Sequence, residues 1–129
     1  MLETGIKGKI ETMVDEHNTA AHYGSGELPV FATPAMIAMM EAAAASSVQP
    51  MLENGYSTVG SLIKVKHTAP TPVGMPVRCE SELIEIDRRR LVFRVSAYDA
   101  AGLIGEGIHE RFIIDKTQFM EKAAAKRRN

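Results

Sequence analysis

The sequence predicts an α+β domain in which one long buried helix is wrapped by a curved antiparallel sheet. Two observations lead to this prediction. Between Pro34 and Ala45 there are twelve residues and only one charge, that of Glu41. After Gly55 the sequence changes to an alternation of polar and apolar residues, which is typical of strands with one buried face. A helix that is apolar on nearly every side should be buried on nearly every side, so we expect the sheet to curve around it.

The start and end of this helix are marked by local signals. Thr33 is a good N-cap residue, and Pro34 fits the first helical position. The helix should continue through Val48 and stop near Pro50, or end after a short continuation at residues 54–55.

The remaining elements are expected to be strands and short turns. Short polar turns separate the last three strands, which predicts an antiparallel meander. A short helical turn is expected at 15–21 and a basic tail, which could be helical, at 116–129. The predicted strands are 8–14, 58–68, 77–86, 91–98 and 103–115.

Length and composition indicate a single domain, 1–129. The net charge of −1 gives no indication of a nucleic-acid partner. Cys79 is the only cysteine, which favours a reducing compartment. The N-terminus has no continuous apolar segment, and the longest uncharged run, 28–40, has 13 residues and is too short to span a bilayer. We therefore expect a soluble, cytoplasmic protein that binds neither nucleic acid nor membrane.

Glu41 is the first residue that demands a chemical explanation. A carboxylate in an apolar helix costs on the order of several kcal/mol unless it is paired or hydrogen-bonded. Glu41 either faces a solvent gap or a structural partner, or serves as a general base, a role that apolar surroundings favour. The helix has no polar face that would account for the charge, so both explanations stay open.

Thr33 and His67 are the other candidates for chemistry. Thr33 either only caps the helix or joins the free N–H groups of the helix N-terminus in binding an oxyanion. Eight residues separate it from Glu41, so the two side chains point about 80° apart and could border one cleft. His67 shares the apolar face of its strand with Ile63 and Val65, which suits a core histidine as well as a proton carrier.

The last strand carries His109, Glu110 and Arg111 in succession. Neighbouring strand residues point to opposite faces, so at most some of them share one site, and an ion-paired Glu110 or Arg111 is the commoner arrangement. The histidines and the cysteine lack the spacing of a metal site, and we expect no metal. The sequence contains neither a glycine-rich phosphate loop nor a G-x-S-x-G motif.

Eight segments spread over nearly the whole chain carry a combination of residues that is specific to one family. They are 30–33 (VFAT), Met36, 39–41 (MME), 65–69 (VKHTA), 71–74 (TPVG), 89–91 (RRL), 94–97 (RVSA) and 105–111 (GEGIHER). Together they resemble the fluoroacetyl-CoA thioesterase family of hotdog proteins. The resemblance implies a hotdog fold, assembly as a homodimer, and hydrolysis of an acyl-CoA substrate without metal or organic cofactor; whether dimers pair into tetramers stays open.

The family's reaction centre is a threonine, a glutamate and a histidine. Its implied counterparts in this chain are Thr33, Glu41 and His67. The glutamate would either attack the thioester carbonyl or activate water. The resemblance also implies substrate-binding roles for Leu28, Phe31, Gly60 and Arg111.

Two departures from the family concern its acyl specificity. The fluoroacetyl-specific member has an aromatic gate near the position of Leu28 and a tryptophan at the position of Ala42, so we do not expect fluoroacetyl specificity here. A non-catalytic acyl-CoA-binding module is the alternative function. The combination of Thr, Glu and His favours the enzyme, since a binding module needs no carboxylate beside a thioester.

Overall fold

The computed structural model describes residues 1–128, which form one five-stranded sheet and three helices, of which the longest packs into the core. The strands are β1 (Lys7–Met13), β2 (Tyr56–His67), β3 (Pro76–Asp87), β4 (Arg90–Asp99) and β5 (Gly102–Asp115). The helices are α1 (Ala20–Tyr23), α2 (Thr33–Val48) and α3 (Lys116–Ala125), and 3-10 turns follow α2 at Gln49–Met51 and α3 at Lys126–Arg128. The end of the predicted tail, residue 129, lies outside the described residues.

The sheet is antiparallel throughout, with the strand order β1-β3-β4-β5-β2. The predicted meander of the last three strands is therefore confirmed. β2 lies at one edge, and its pairing with β5 shifts register between Gly60 and Leu62, where the strand has a bulge. The open edge of β2 leaves backbone groups free to pair with another strand.

The core lies between α2 and the inner face of the sheet. Met36 and Met40 of α2 are fully buried against apolar side chains of β3 and β4 such as Leu83 and Phe93. The helix α2 lies very close to β1, because a Cβ on Gly8 of β1 would clash with the backbone oxygen of Ala43. The helix therefore packs closely across β1 and β3.

One face of α2 is exposed, which differs from the expectation of burial on nearly every side. The sheet covers only the opposite face of the helix within one chain. The uncovered residues recur every four positions and form one stripe, called here the α2 stripe: Pro34, Ala38, Ala42 and Ser46.

The start of α2 also differs from the prediction. Ala32 is the N-cap, Thr33 is the first helical residue, and no side chain caps the helix. The predicted capping role of Thr33 is therefore wrong, because its hydroxyl is hydrogen-bonded to His67 instead. The predicted stop near Pro50 is confirmed.

The predictions for two short helical segments had different outcomes. The helical turn expected at 15–21 lies later, as α1, because Thr19 caps it by accepting from the backbone N–H of His22 and Gly24 ends it in a left-handed conformation. The tail is helical over Lys116–Ala125, as proposed. Within residues 1–128, no helix is long and apolar enough to cross a membrane.

Candidate active site

Thr33 and His67 meet where α2 begins and β2 ends. Thr33 Oγ1 lies 2.7 Å from His67 Nδ1, a short hydrogen bond between residues 34 positions apart. The ring of Phe31 meets the imidazole edge-on, with 6.4 Å between the ring centroids. The hydroxyl and imidazole, called here the Thr33–His67 pair, can exchange a proton directly.

The Thr33–His67 pair opens into a surface pocket of about 320 Å³. Val30, Phe31 and Ala69 supply apolar parts of its wall. Burial lowers the pKa of His67, which favours the neutral imidazole. His67 Nε2 is buried and has no hydrogen-bond partner among the described residues. A buried ring nitrogen without a partner is uncommon, and this one belongs to a residue that lines the pocket.

Leu28, proposed as a substrate contact, lies on the loop before α2. Its side chain is 65% exposed, and it is not among the residues that line the pocket of the Thr33–His67 pair. Phe31, by contrast, lines that pocket and is buried.

Glu41 lies in a second group of polar side chains near the bulge of β2. A Cβ on Gly60 would lie 3.8 Å from Glu41 Oε1, 3.4 Å from Arg111 Nη1 and 3.3 Å from His109 Cε1. The missing side chain of Gly60 therefore leaves a small space that three polar side chains border. These four residues are called here the Glu41 cluster.

Arg111 is only 7% exposed, and three hydrogen bonds hold its guanidinium group in the Glu41 cluster. Its Nε donates to Thr58 Oγ1 (2.8 Å), its Nη2 to the Thr58 carbonyl (2.9 Å) and its Nη1 to His109 Nε2 (3.1 Å). Burial lowers the pKa of Arg111, and the charge of Glu41 partly offsets this effect. The carboxylate and the guanidinium thus reduce the cost of each other's burial.

His109 was not singled out from the sequence. Its Nδ1 lies 2.8 Å from the Leu62 carbonyl, and burial, aided by the charge of Arg111, lowers the pKa of the imidazole. The alternation of side chains along a strand could have indicated it, because His109 and Arg111 share one face of β5 and Glu110 points to the other. Glu110 is ion-paired with Arg90 on that outer face, at 2.9 Å, as the sequence suggested for this position.

The Thr33–His67 pair and the Glu41 cluster are separated within one chain. Eight helical residues from Thr33 to Glu41 correspond to a rise of about 12 Å. Seven strand residues from Gly60 to His67 correspond to about 23 Å. Thr33 and Glu41 therefore belong to two separate groups of polar side chains within one chain.

Metal-binding and thiol chemistry have little support in this region. Across residues 1–128, no group of three or more His, Cys, Asp or Glu side chains could hold a metal ion. Cys79 is buried in the core, and burial raises the pKa of its thiol to about 12. A thiol that is neutral and inaccessible is a poor nucleophile.

Comparison with known proteins identifies similar chains over nearly the full length. Residues 14–117 match a family described as fluoroacetyl-CoA-specific thioesterase. The fluoroacetyl-CoA thioesterase of Streptantibioticus cattleyicolor is 40% identical over 131 residues, which cover 97% of this chain and 94% of that protein. A solved structure of a fluoroacetyl-CoA thioesterase is 38% identical, with a TM-score of 0.91 and 98% of both chains covered. A thioesterase superfamily member from Thermus thermophilus is 30% identical, with a TM-score of 0.90 over 98% of this chain and 93% of its own.

Proposed function

The chain belongs to the fluoroacetyl-CoA-specific thioesterase family and is a hotdog-fold acyl-CoA thioesterase, and we propose that Thr33, Glu41 and His67 carry out the hydrolysis. The observation that supports this assignment most directly is the 2.7 Å bond between Thr33 and His67 beside an open pocket. A hydroxyl and a neutral imidazole in contact can polarise a carbonyl and move a proton.

The proposed working unit is a homodimer in which each active site combines two half-sites. One chain supplies the Thr33–His67 pair, and the other supplies the Glu41 cluster. The open edge of β2 can pair with the β2 of a second copy, and the α2 stripe and Leu62, 44% exposed, would then be covered.

An antiparallel pairing of two β2 strands would run the end of β2 that carries His67 in one copy beside the end that carries Gly60 in the other, which supports a shared site. Whether dimers pair further into tetramers is a separate prediction from the sequence, as is the cytoplasmic location.

In the proposed reaction, the thioester carbonyl lies at the start of α2. The N–H groups of Thr33 and Ala35 have no intrahelical acceptor, because the first helical bond runs from Met36 N–H to the Ala32 carbonyl. These groups and the Thr33 hydroxyl would stabilise the oxyanion. His67, which is neutral at rest, would take up a proton from protonated Glu41 or from solvent and pass it to the departing CoA thiolate.

Glu41 has two possible roles in this scheme. As a general base it takes a proton from water while the water oxygen adds to the carbonyl carbon, and the tetrahedral intermediate then expels the thiolate. As a nucleophile it forms a mixed anhydride and releases the thiolate, and water then hydrolyses the anhydride to the acid. After turnover in ¹⁸O water, ¹⁸O in the Glu41 carboxyl group would establish the anhydride route, because the general-base route cannot place it there.

The acyl group is proposed to lie between the half-sites. Gly60 and Arg111 would border it on the Glu41 side, and Phe31 would border it beside His67. Leu28 would contact it from the loop before α2.

The first test is release of free thiol from a panel of short, branched and aromatic acyl-CoAs, with wild-type protein and Glu41→Gln. We expect turnover by the wild type and a loss of at least about 100-fold in kcat for the variant, as for removal of a general acid or base. A fully active Glu41→Gln protein would remove Glu41 from the centre. Binding of the esters without any thiol release would instead favour the non-catalytic acyl-CoA-binding module.

The second test asks whether the site is shared between chains. Thr33→Ala and Glu41→Gln, each inactive alone, are mixed under conditions that exchange subunits. Half of the resulting dimers would be mixed, and each would contain one intact site, so we expect about one quarter of wild-type activity. The matched control mixes Thr33→Ala with His67→Ala, where both lesions affect the same half-site and no activity should return. Absence of rescue in the first mixture would show that the half-sites do not combine across the dimer.

A further inference from the structure

His109 is a buried titratable residue that the proposed chemistry does not use. It lies on the inner face of β5 and is 1% exposed, yet both ring nitrogens have partners. Nδ1 contacts the Leu62 carbonyl at 2.8 Å, next to the bulge of β2, and Nε2 contacts Arg111 Nη1 at 3.1 Å.

These two contacts define one form of the imidazole. A carbonyl oxygen only accepts, so Nδ1 carries the hydrogen and donates to Leu62. Arg111 only donates, so Nε2 must offer its lone pair. A protonated His109 would set an N–H against the N–H of Arg111 and would place two positive charges side by side. The contacts therefore require the neutral Nδ1–H tautomer.

The ring is also fixed in position by packing. The ring of Phe93 lies 6.2 Å from that of His109, tilted by 31°, inside the close-packed core. Backbone atoms of β2 and an aromatic side chain of β4 thus set the orientation of His109.

His109 in turn completes the anchoring of the Arg111 guanidinium. Thr58 binds Nε and Nη2, and His109 is the one hydrogen-bond partner of Nη1 within residues 1–128. Nη1 is the nitrogen nearest to the space left by Gly60, and it retains a second N–H.

We propose that His109 is a positioning residue, which holds Arg111 Nη1 beside Gly60 so that its free N–H meets the acyl part of the thioester. This inference rests on the proposed function, because that function places the acyl group at Gly60. It assigns His109 no contact with substrate and no proton transfer in the reaction.

The test compares His109→Phe, which keeps a ring but no acceptor, with His109→Gln, whose amide oxygen can reach the position of Nε2. Val95→Ala, a buried change on β4 outside both half-sites, controls for lost stability. We expect His109→Phe to raise KM by about tenfold or more, His109→Gln to restore most of the affinity, and Val95→Ala to leave KM unchanged. NMR of the Arg111 Nε–H and Nη–H groups should show slower rotation about the Nε–Cζ bond in the wild type and His109→Gln than in His109→Phe, where only the two bonds to Thr58 remain.

Two outcomes would overturn the inference. Equal KM values for His109→Phe and Val95→Ala would reduce His109 to a packing residue, even with an active wild type. If His109→Gln had the same KM and the same Arg111 NMR signals as His109→Phe, a hydrogen-bond acceptor at position 109 would have no effect on Arg111. Wild-type protein that releases no thiol would instead overturn the proposed function, and this role with it.

Discussion

At the level of single residues, Gly60 shows how a missing side chain can define a site. Its position on β2 lies opposite Arg111, and three polar side chains end around the space where its Cβ would be. The resemblance marked Gly60 and Arg111 as substrate contacts, but the sequence alone did not indicate His109. The hydrogen bonds that explain His109 come from a strand bulge and from Arg111, and a bulge has no clear signature in an alternating sequence.

Gly60→Ala should impair acyl binding without unfolding the protein. The new Cβ would lie 3.3 to 3.8 Å from His109 Cε1, Arg111 Nη1 and Glu41 Oε1, so it could be accommodated by shifts of no more than a few tenths of an ångström. We expect the free energy of unfolding to change by less than about 1 kcal/mol, while KM rises more for bulky acyl groups than for acetyl. Denaturant unfolding and steady-state kinetics on two acyl-CoAs measure the two effects.

Gly107→Ala is the matched control for this prediction. Its Cβ would clash with the backbone oxygen of Lys64 in the neighbouring strand, which cannot move without breaking the ladder. We expect it to destabilise the fold by about 1–3 kcal/mol. If Gly60→Ala were equally destabilising, or if its KM values were unchanged, the space at Gly60 would have no role in binding the acyl group.

At the level of elements, α2 shows where local sequence rules succeed and where they fail. Its extent follows from apolar composition and the stop near Pro50, so residues 33–48 were predicted almost completely. Its first residue was misassigned because the Thr33 hydroxyl bonds to His67, and a contact between residues so distant in sequence outweighs a local capping preference. The exposure of one face was missed because the periodicity of a helix does not reveal how much of its surface the sheet of the same chain covers.

Ala38→Glu should dissociate the proposed dimer. Ala38 lies in the exposed α2 stripe, and a carboxylate there would be buried without a partner on association. We expect sedimentation to report a mass near the 14.1 kDa of one chain, whereas the wild type should sediment at about 28 kDa. Ala124→Glu, on the exposed face of α3, makes the same change away from this surface and should remain dimeric. If Ala38→Glu and Ala124→Glu were both dimeric, the α2 stripe would not be part of the interface.

At the level of the whole molecule, the sheet and the site were predictable to different degrees. Alternation located each strand to within about two residues, because one face of each strand packs on the core. The separation of Thr33 and His67 from Glu41 was not predictable, since it depends on how β2 runs past α2. The sequence indicated the candidate residues, whereas only the fold shows that Thr33 and His67 form one group and Glu41 another.

The buried histidines should also set the pH dependence of stability for the whole protein. Burial lowers the pKa of both His67 and His109 below the ordinary value of 6.5, so the unfolded chain binds protons more readily than the folded chain. The free energy of unfolding should therefore be constant above about pH 6.5 and fall as the pH drops below it. Hydrogen bonds from Arg90 and Thr71 lower the pKa values of Glu110 and Asp99, so these carboxylates lose their stabilising effect only at more acidic pH.

Because the loss of stability begins near pH 6.5, it can be assigned to a histidine. Urea unfolding of the wild type and His109→Gln from pH 7.5 to 5 should give a smaller decline for the variant, because it lacks one of the two groups that take up protons on unfolding. A decline of equal size in both proteins would mean that His109 is not held neutral in the folded state. In that case Nε2 could not accept from Arg111, and the Glu41 cluster would need a different account of how its buried guanidinium is held in place.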